Sequence, residues 1–208
     1  MIPYHQTTPF TTAASSLLTI LHHLQPEIPL TKEMEFDIWQ KTVTLPTRGS
    51  SIFGLANYAK ELGLKVKVVL ENKQYDFPDY RFYGYKKSDI ELAAFSSELH
   101  LQRTLKNQIP IEEKTIKIED IEQELKQDHL LMLRINAKPI RQDQKRNTSN
   151  YIVVLSFIDN YFQIIDPTIG ALSVPKEIML EAFQSLETKK HQDHRMIVFY
   201  INYSKPTK

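Results

Sequence analysis

The sequence predicts an α+β fold, on three observations. An almost wholly apolar helix stands near the N-terminus, further helical signals fill the first half, and β-prone runs with a tight turn between two of them fill the second. Residues 11–24 carry Ala13, Ala14, Leu17, Leu18, Ile20, Leu21 and Leu24, so nearly every side of that helix is apolar and it belongs inside the protein. Pro26 and Pro29 end it. A second helix, about 31–43, starts at a capping Thr31 and offers Met34, Phe36, Ile38 and Trp39 for packing. A third, about 50–62, stops at Gly63, a residue suited to a helix C-terminus. Residues 64–70 alternate at period two and predict a strand. A charged-faced helix fills about 88–107 and a shorter one 119–127. Strands follow at 129–135, 151–158 and 161–165, the last two joined by the turn pair Asp159-Asn160 as a hairpin. Pro175 opens a helix to about 186, and 196–203 is the final strand. Two stretches, 72–87 and 137–149, read as loops.

Composition narrows the function. The chain has 208 residues, which we read as one domain over 1–208, with neither linker nor repeat to divide it. Lys plus Arg is 26 against 25 Asp plus Glu, a balance that argues against nucleic acid as a partner. Cysteine is absent, which excludes disulfides, zinc–thiolate centres, iron–sulfur clusters and a thiol nucleophile. No apolar run approaches the roughly 18 residues of a membrane span, and the start, Met1-Ile2-Pro3-Tyr4-His5-Gln6, lacks the pattern of a signal peptide, so no membrane partner and a cytoplasmic location are expected. The five glycines do not cluster, and Gly49 and Gly54 lack the spacing and lysine of a phosphate loop; no cofactor and no metal are expected.

One constellation carries chemistry. The segment His5-Gln6-Thr7-Thr8-Pro9-Phe10-Thr11-Thr12-Ala13-Ala14-Ser15-Ser16-Leu17-Leu18 leads into the buried helix. It resembles the start of the bacteriocin-processing cysteine peptidases, a papain-like family that cleaves after double-glycine leaders. Their pattern is a Gln, a short gap, then Thr-Cys-Gly-Pro-Ala-Ser-Leu-Leu at the head of a helix. The resemblance continues through residues 31–39, Phe53-Gly54-Leu55-Ala56 and 63–66, then through Ser149-Asn150-Tyr151-Ile152-Val153-Val154 and Ile165-Asp166-Pro167. It covers about 4–70 and 129–170 and leaves 72–128 as a poorly matched, helical insertion.

The resemblance implies a papain-like cysteine peptidase fold, with the buried N-terminal helix packed on a mostly antiparallel sheet. It also implies roles. Gln6 matches the glutamine that helps build the oxyanion hole, and a fixed amide donor of that kind stabilises an oxyanion by about 2.7–4 kcal/mol. Thr12 stands in the place of the nucleophilic Cys, Asn150 in that of the His, and Asp166 in that of the carboxylate that orients the His. Ala13-Ala14 replace Gly-Pro. A hydroxyl needs an adjacent base to attack, and an asparagine does not take and return a proton near neutral pH as histidine does. Loss of both actors predicts a pseudopeptidase whose former cleft binds a peptide or protein segment, with an active homologous peptidase as a further partner. Two alternatives stand: a hydrolase or acyl-transfer enzyme with a Thr or Ser nucleophile (Thr12, Ser15 or Ser16), and a structural subunit of an active homologue.

Each residue also has a plainer reading. Thr11 or Thr12 suits a helix N-cap, Asp166-Pro167 a turn, and Asn150 a strand end. His22-His23 diverge around a helix, which argues against a shared metal. His191-Gln192-Asp193-His194 reads as a solvated loop, and the cations from Lys138 to Arg146 as an exposed loop with an acidic-peptide contact as the lesser reading. The aromatics Tyr75, Phe77, Tyr80, Phe82, Tyr83 and Tyr85 suit edge packing or a peptide-binding wall.

Overall fold

Helix α1, Thr12–Leu24, is buried along nine consecutive residues, Ala13 to Leu21, as its all-round apolar character requires. The structure is a computed structural model and describes residues 1–73, 86–142, 148–186 and 194–201. The predicted aromatic cluster from Tyr75 to Tyr85 lies outside the described residues. The chain continues through α2 (Lys32–Thr42), the short strands β1 (Val43–Thr44) and β2 (Gly49–Ser50), α3 (Ile52–Glu61), β3 (Val66–Leu70) and α4 (Lys87–Lys106). It then forms β4 (Ile111–Glu113), α5 (Ile118–Leu125), β5 (Leu130–Asn136), α6 (Lys138–Arg141), β6 (Ser149–Ile158), β7 (Tyr161–Asp166), β8 (Gly170–Pro175), α7 (Lys176–Gln184) and β9 (Arg195–Phe199).

The main sheet has seven strands in the order β4-β3-β9-β5-β6-β7-β8. Its pairings are antiparallel except at the edge, where β4 runs parallel to β3. Helices cover both faces. Leu17, Leu18, Leu21, Ile38, Phe53 and Leu55 pack with Val68, Met132, Val153 and Ile197 on one side. Ile121, Leu125, Met179 and Phe183 pack with Leu131, Leu133, Ile152, Val154 and Val198 on the other. A strand covered on both faces loses its polar alternation, which is why 130–133 and 196–199 read as unbroken apolar runs. The Ser16 hydroxyl donates to the Tyr151 carbonyl at 2.8 Å and fixes α1 against β6.

Thr31 caps α2 as expected, its hydroxyl accepting from the Met34 amide. Asp159 and Asn160 both have positive φ, 50° and 70°, the geometry of a tight hairpin turn between β6 and β7. Five elements escape the sequence reading, the two-residue strands β1 and β2 among them. β4 has three residues, α6 has four, and β8 begins at a glycine and ends at a proline, so none carries a period long enough to register. β8 is created by its pairing with β7 rather than by its own propensity. The charged helix and the short helix of the expected insertion are present as α4 and α5, with β4 between them.

Gly54 lets α3 cross the end of α2 closely. A Cβ there would lie 2.9 Å from Thr42 Cα and 3.1 Å from the Thr42 carbonyl oxygen, neither of which is a flexible side-chain end. We therefore expect Gly54→Ala to destabilise the fold by about 1–3 kcal/mol, read as a lower urea midpoint, whereas Gly49→Ala, which meets nothing within 4 Å, should not.

Candidate cleft at the head of the first helix

The segment before α1 is held by one buried carboxylate. Glu35 on α2 is fully buried and accepts from the Thr7 amide (2.9 Å), the Thr7 hydroxyl (2.6 Å), the Ser15 hydroxyl (2.8 Å) and the Tyr4 hydroxyl (3.2 Å). Burial alone would raise its pKa. The nearby Thr11 hydroxyl, the Thr7 hydroxyl and amide and the Ser15 hydroxyl outweigh burial and hold it below the ordinary glutamate value. Burial and the same carboxylate push the Tyr4 phenol up to about 12. Phe10 is seated beside this clamp against Trp39 (4.9 Å between ring centroids) and Phe36 (6.5 Å). Thr11 occupies the N-cap position of α1, but its hydroxyl donates to the Thr8 carbonyl at 3.1 Å and does not cap the helix.

Thr12 and Ala13 open onto a cleft of about 130 Å³. Phe10 forms one wall, and Thr44, Thr47, Gly49 and Ser50 of the β1–β2 hairpin form another. Ser51 at the head of α3 and Ser97 of α4 complete that side. The sheet contributes Arg134, Ser149, Tyr151 and Arg195. The Arg134 Nε donates to the Ser149 hydroxyl at 2.6 Å. The described lining is thus hydroxyls, two guanidinium groups and two aromatic rings, with no carboxylate, imidazole or amine among them.

Asn150 lies between Ser149 and Tyr151 on β6. Tyr151 and Val153 pack on the α1 side of the sheet and Ile152 and Val154 on the other, so alternation turns the Asn150 side chain away from the cleft lining. It meets Arg141 instead. With its amide oriented so that both ends are satisfied, its oxygen accepts from Arg141 Nη1 at 2.8 Å and Nη2 at 2.9 Å, and its nitrogen donates to the Ser149 carbonyl at 3.0 Å. Arg141 also grips Asp166, donating from Nε to Oδ2 and from Nη2 to Oδ1, both at 2.9 Å. Asp166 is fully buried and accepts further from the Thr168 and Ile169 amides at 2.7 and 3.2 Å. The Gln6 backbone amide donates to the Pro167 carbonyl at 2.8 Å, and the Gln6 Oε1 is buried without a hydrogen-bond partner among the described residues. Gln6 therefore sits beside Asp166-Pro167, Asp166 is joined to Asn150 through Arg141, and Thr12 lines a cleft whose other wall is formed by the two neighbours of Asn150.

The sequence pattern of the Peptidase_C39 like family matches residues 2–199, nearly the whole chain. The chain belongs to that family. The α+β fold expected from the sequence is accordingly the fold of this Peptidase C39-like protein. Its structure is similar to that of a double glycine motif protease from an AMS/PCAT transporter, solved in complex with the leader peptide. The two share 14% identity over 97% of this chain and 93% of that one, with a TM-score of 0.49. It is also similar to the peptidase domain of Streptococcus ComA, a bi-functional ABC transporter involved in a quorum sensing pathway, at 14% identity, 96% and 98% coverage and a TM-score of 0.47. Among curated proteins none matches the chain.

Two expectations need correction in this C39-like chain. Arg141, counted with an exposed basic loop, is turned inward onto a buried carboxylate, because Asp166 left alone in the interior would carry an uncompensated charge. His194, read as loop, is buried, with Nδ1 3.0 Å from Glu71 Oε1 and Nε2 3.0 Å from the Phe183 carbonyl, while its ring stacks on Phe183; His191 lies outside the described residues. His22 contacts the Ile28 carbonyl at 2.8 Å, a structural role as expected. No group of three or more His, Cys, Asp or Glu suited to a metal occurs among the described residues, and no described helix is long and apolar enough to cross a membrane. The sequence reading missed Arg134 and Arg195, although each is a lone cation beside an apolar strand run, a signal that was available.

Two outcomes follow from the buried charges. Arg141→Gln leaves Asp166 buried without its cation and should cost about 3–5 kcal/mol, seen as a fall in both urea and thermal midpoints. Folding lowers the Glu35 pKa, so the ionised carboxylate favours the fold. That contribution is complete above the ordinary glutamate value of about 4.3 and is lost as pH falls through the folded-state value. Glu35→Gln should lower stability near pH 7 by about 1.5–3 kcal/mol and show a smaller loss than wild type on acidification; parallel pH curves for the two would refute the assignment.

Proposed function

We propose that this C39-like protein is a pseudopeptidase that holds a peptide or protein segment in the cleft at the head of α1 without cleaving it. The observation that carries this reading is the described lining around Thr12, which offers hydroxyls and guanidinium groups and no proton acceptor of suitable basicity. A threonine hydroxyl attacks a carbonyl only when a neighbouring base removes its proton. Arginine stays charged at working pH and cannot serve. The nearest carboxylate of the expected set, Asp166, is engaged by Arg141 and two backbone amides and is not poised to orient a histidine. The same features weigh against a Thr or Ser hydrolase. Ser15 and Ser16 support this too, since their hydroxyls are spent on Glu35 and the Tyr151 carbonyl inside the core.

A groove between a helix head and strand ends suits an extended peptide, whose backbone groups pair with the walls while its side chains fill pockets. Trp39, the single tryptophan, touches Phe10 on the cleft wall and gives an intrinsic reporter. Purified protein should leave fluorogenic peptide and nitrophenyl ester substrates unturned. Short extended peptides should shift Trp39 emission saturably, and Thr12→Phe, which fills the cleft mouth, should weaken that binding at least tenfold. Turnover that Thr12→Ala abolishes would establish the hydrolase instead, and peptide binding indifferent to Thr12→Phe would remove the cleft from the function.

A further inference from the structure

We propose that the outer edge of β8 is a self-association surface, which pairs antiparallel with the β8 edge of a second copy of this chain. No residue of β8 lines the cleft, so the surface is separate from it and does not rest on the peptide-holding reading.

The main sheet ends in two unlike strands. At one end β4 has three residues, Ile111–Glu113, and Lys114 follows directly; Glu112 is joined to both Lys67 and Lys114. A short, charged edge resists pairing with a foreign strand. At the other end β8 has six residues, and no residue from Pro167 to Pro175 is charged. No strand among the described residues pairs with its outer side.

Register identifies the free groups. The Lys176 amide donates to the Asn160 carbonyl at 2.9 Å, so positions 160 and 176 face each other as a hydrogen-bonded pair. Bonded and non-bonded pairs alternate along an antiparallel ladder. Val174, Leu172 and Gly170 therefore bond to β7, opposite Phe162, Ile164 and Asp166, while Ser173 and Ala171 turn both amide and carbonyl outward. Pro175 falls in the outward set too, where its lack of an N–H costs the ladder nothing.

The arrangement suits a second copy in particular. Ala171 and Ser173 stand symmetrically about Leu172. A two-fold axis at Leu172 sets Ala171 opposite the partner's Ser173 and Ser173 opposite the partner's Ala171, and each outward amide of these residues then meets an outward carbonyl. Leu172 packs partly buried against the apolar cluster under α5 and α7. At the axis it meets the partner's Leu172 and extends that apolar layer across the contact. The ends match as well. Ile169 is 45% exposed just before β8, and Tyr161, 46% exposed, is the register partner of Pro175 at the far end. The same register sets the partner's Ile169 opposite Pro175, beside Tyr161, so exposed apolar groups at the two ends cover one another. A contact along one strand edge is small, so the dimer is weak and concentration-dependent.

The test is sedimentation velocity of the full chain from micromolar to near-millimolar concentration, with amide hydrogen exchange at both extremes. Wild type should shift reversibly from the mass of one chain to that of two, and the Ala171 and Ser173 amides should gain protection as it does. Ser173→Pro removes an outward amide that β7 does not use and should leave the protein monomeric throughout. Ala171→Lys/Ser173→Lys opposes like charges across the axis at two exposed positions and should do the same. Ala171→Lys/Ser173→Glu sets opposite charges there and should associate again, severalfold more tightly than the double lysine variant. Thermal melts of the dilute proteins check that each variant is folded; should Ser173→Pro fail to fold, the two charge variants decide. A wild type that stays monomeric overturns the proposal, and so does a dimer that the folded variants leave unchanged. If the monomer instead binds an extended peptide and Ser173→Pro abolishes that binding, the edge serves a foreign strand and the second copy is overturned.

Discussion

The carboxylate of Glu35 positions the head of α1, and with it Thr12 at the cleft. It is fully buried on α2, yet its partners come from the chain before α1 and from α1 itself: Tyr4, Thr7 and Ser15. A buried charge is tolerated only when its lone pairs are met by well-placed donors, and here an amide and three hydroxyls meet them. The result is a rigid path for residues 4–11, which would otherwise be an unstructured N-terminal strand of chain. That path delivers the Gln6 amide to Pro167 and seats Phe10 on Trp39. It brings Thr12 to the start of α1 with its backbone already fixed. The site is therefore built on ordered interior packing and not on a mobile loop, and its geometry is available before any ligand arrives.

Arg141 sets the second constraint. It satisfies Asp166 bidentately and Asn150 through the same guanidinium, so three groups at the ends of α6, β6 and β7 form one closed unit. A histidine at position 150 would face a guanidinium already committed to Asp166, an environment that disfavours the charged imidazole. Asn150 and the inward turn of Arg141 suit each other: the buried carboxylate of Asp166 needs a cation, Arg141 supplies it, and the Asn150 amide accepts from the same guanidinium. A base introduced there would have to displace contacts of three residues, so the arrangement is a settled structure in its own right.

Much of this fold is legible in the sequence because the strongest elements satisfy several physical demands at once. α1 is apolar on all sides and is buried, Thr31 caps the helix it precedes, and Asp159-Asn160 supply the two left-handed residues of a hairpin turn. β4, β8 and α6 are not legible because tertiary pairing, not local preference, makes them. At the site, the head of α1 is readable from the run around Thr12. The inward turn of Arg141 is not, since a basic residue among Lys138, Lys145 and Arg146 gives no local sign of which side chain will find a buried carboxylate. Arg134 and Arg195 differ: each interrupts or abuts a run of apolar strand residues, where a charge has no place unless something in the interior requires it.

The character of the cleft also separates holding from turnover. A peptidase gains rate only from interactions that are stronger in the transition state than in the ground state or the product. Thr12 opens onto a cleft whose described lining holds no base to take its proton, so that lining supplies nothing that strengthens as a hydroxyl attacks a carbonyl. The same site is an asset to a protein whose task is retention. Absence of a thiol from the sequence and of a base from the described lining around Thr12 thus favour the same thermodynamic end, a ligand bound in its ground state.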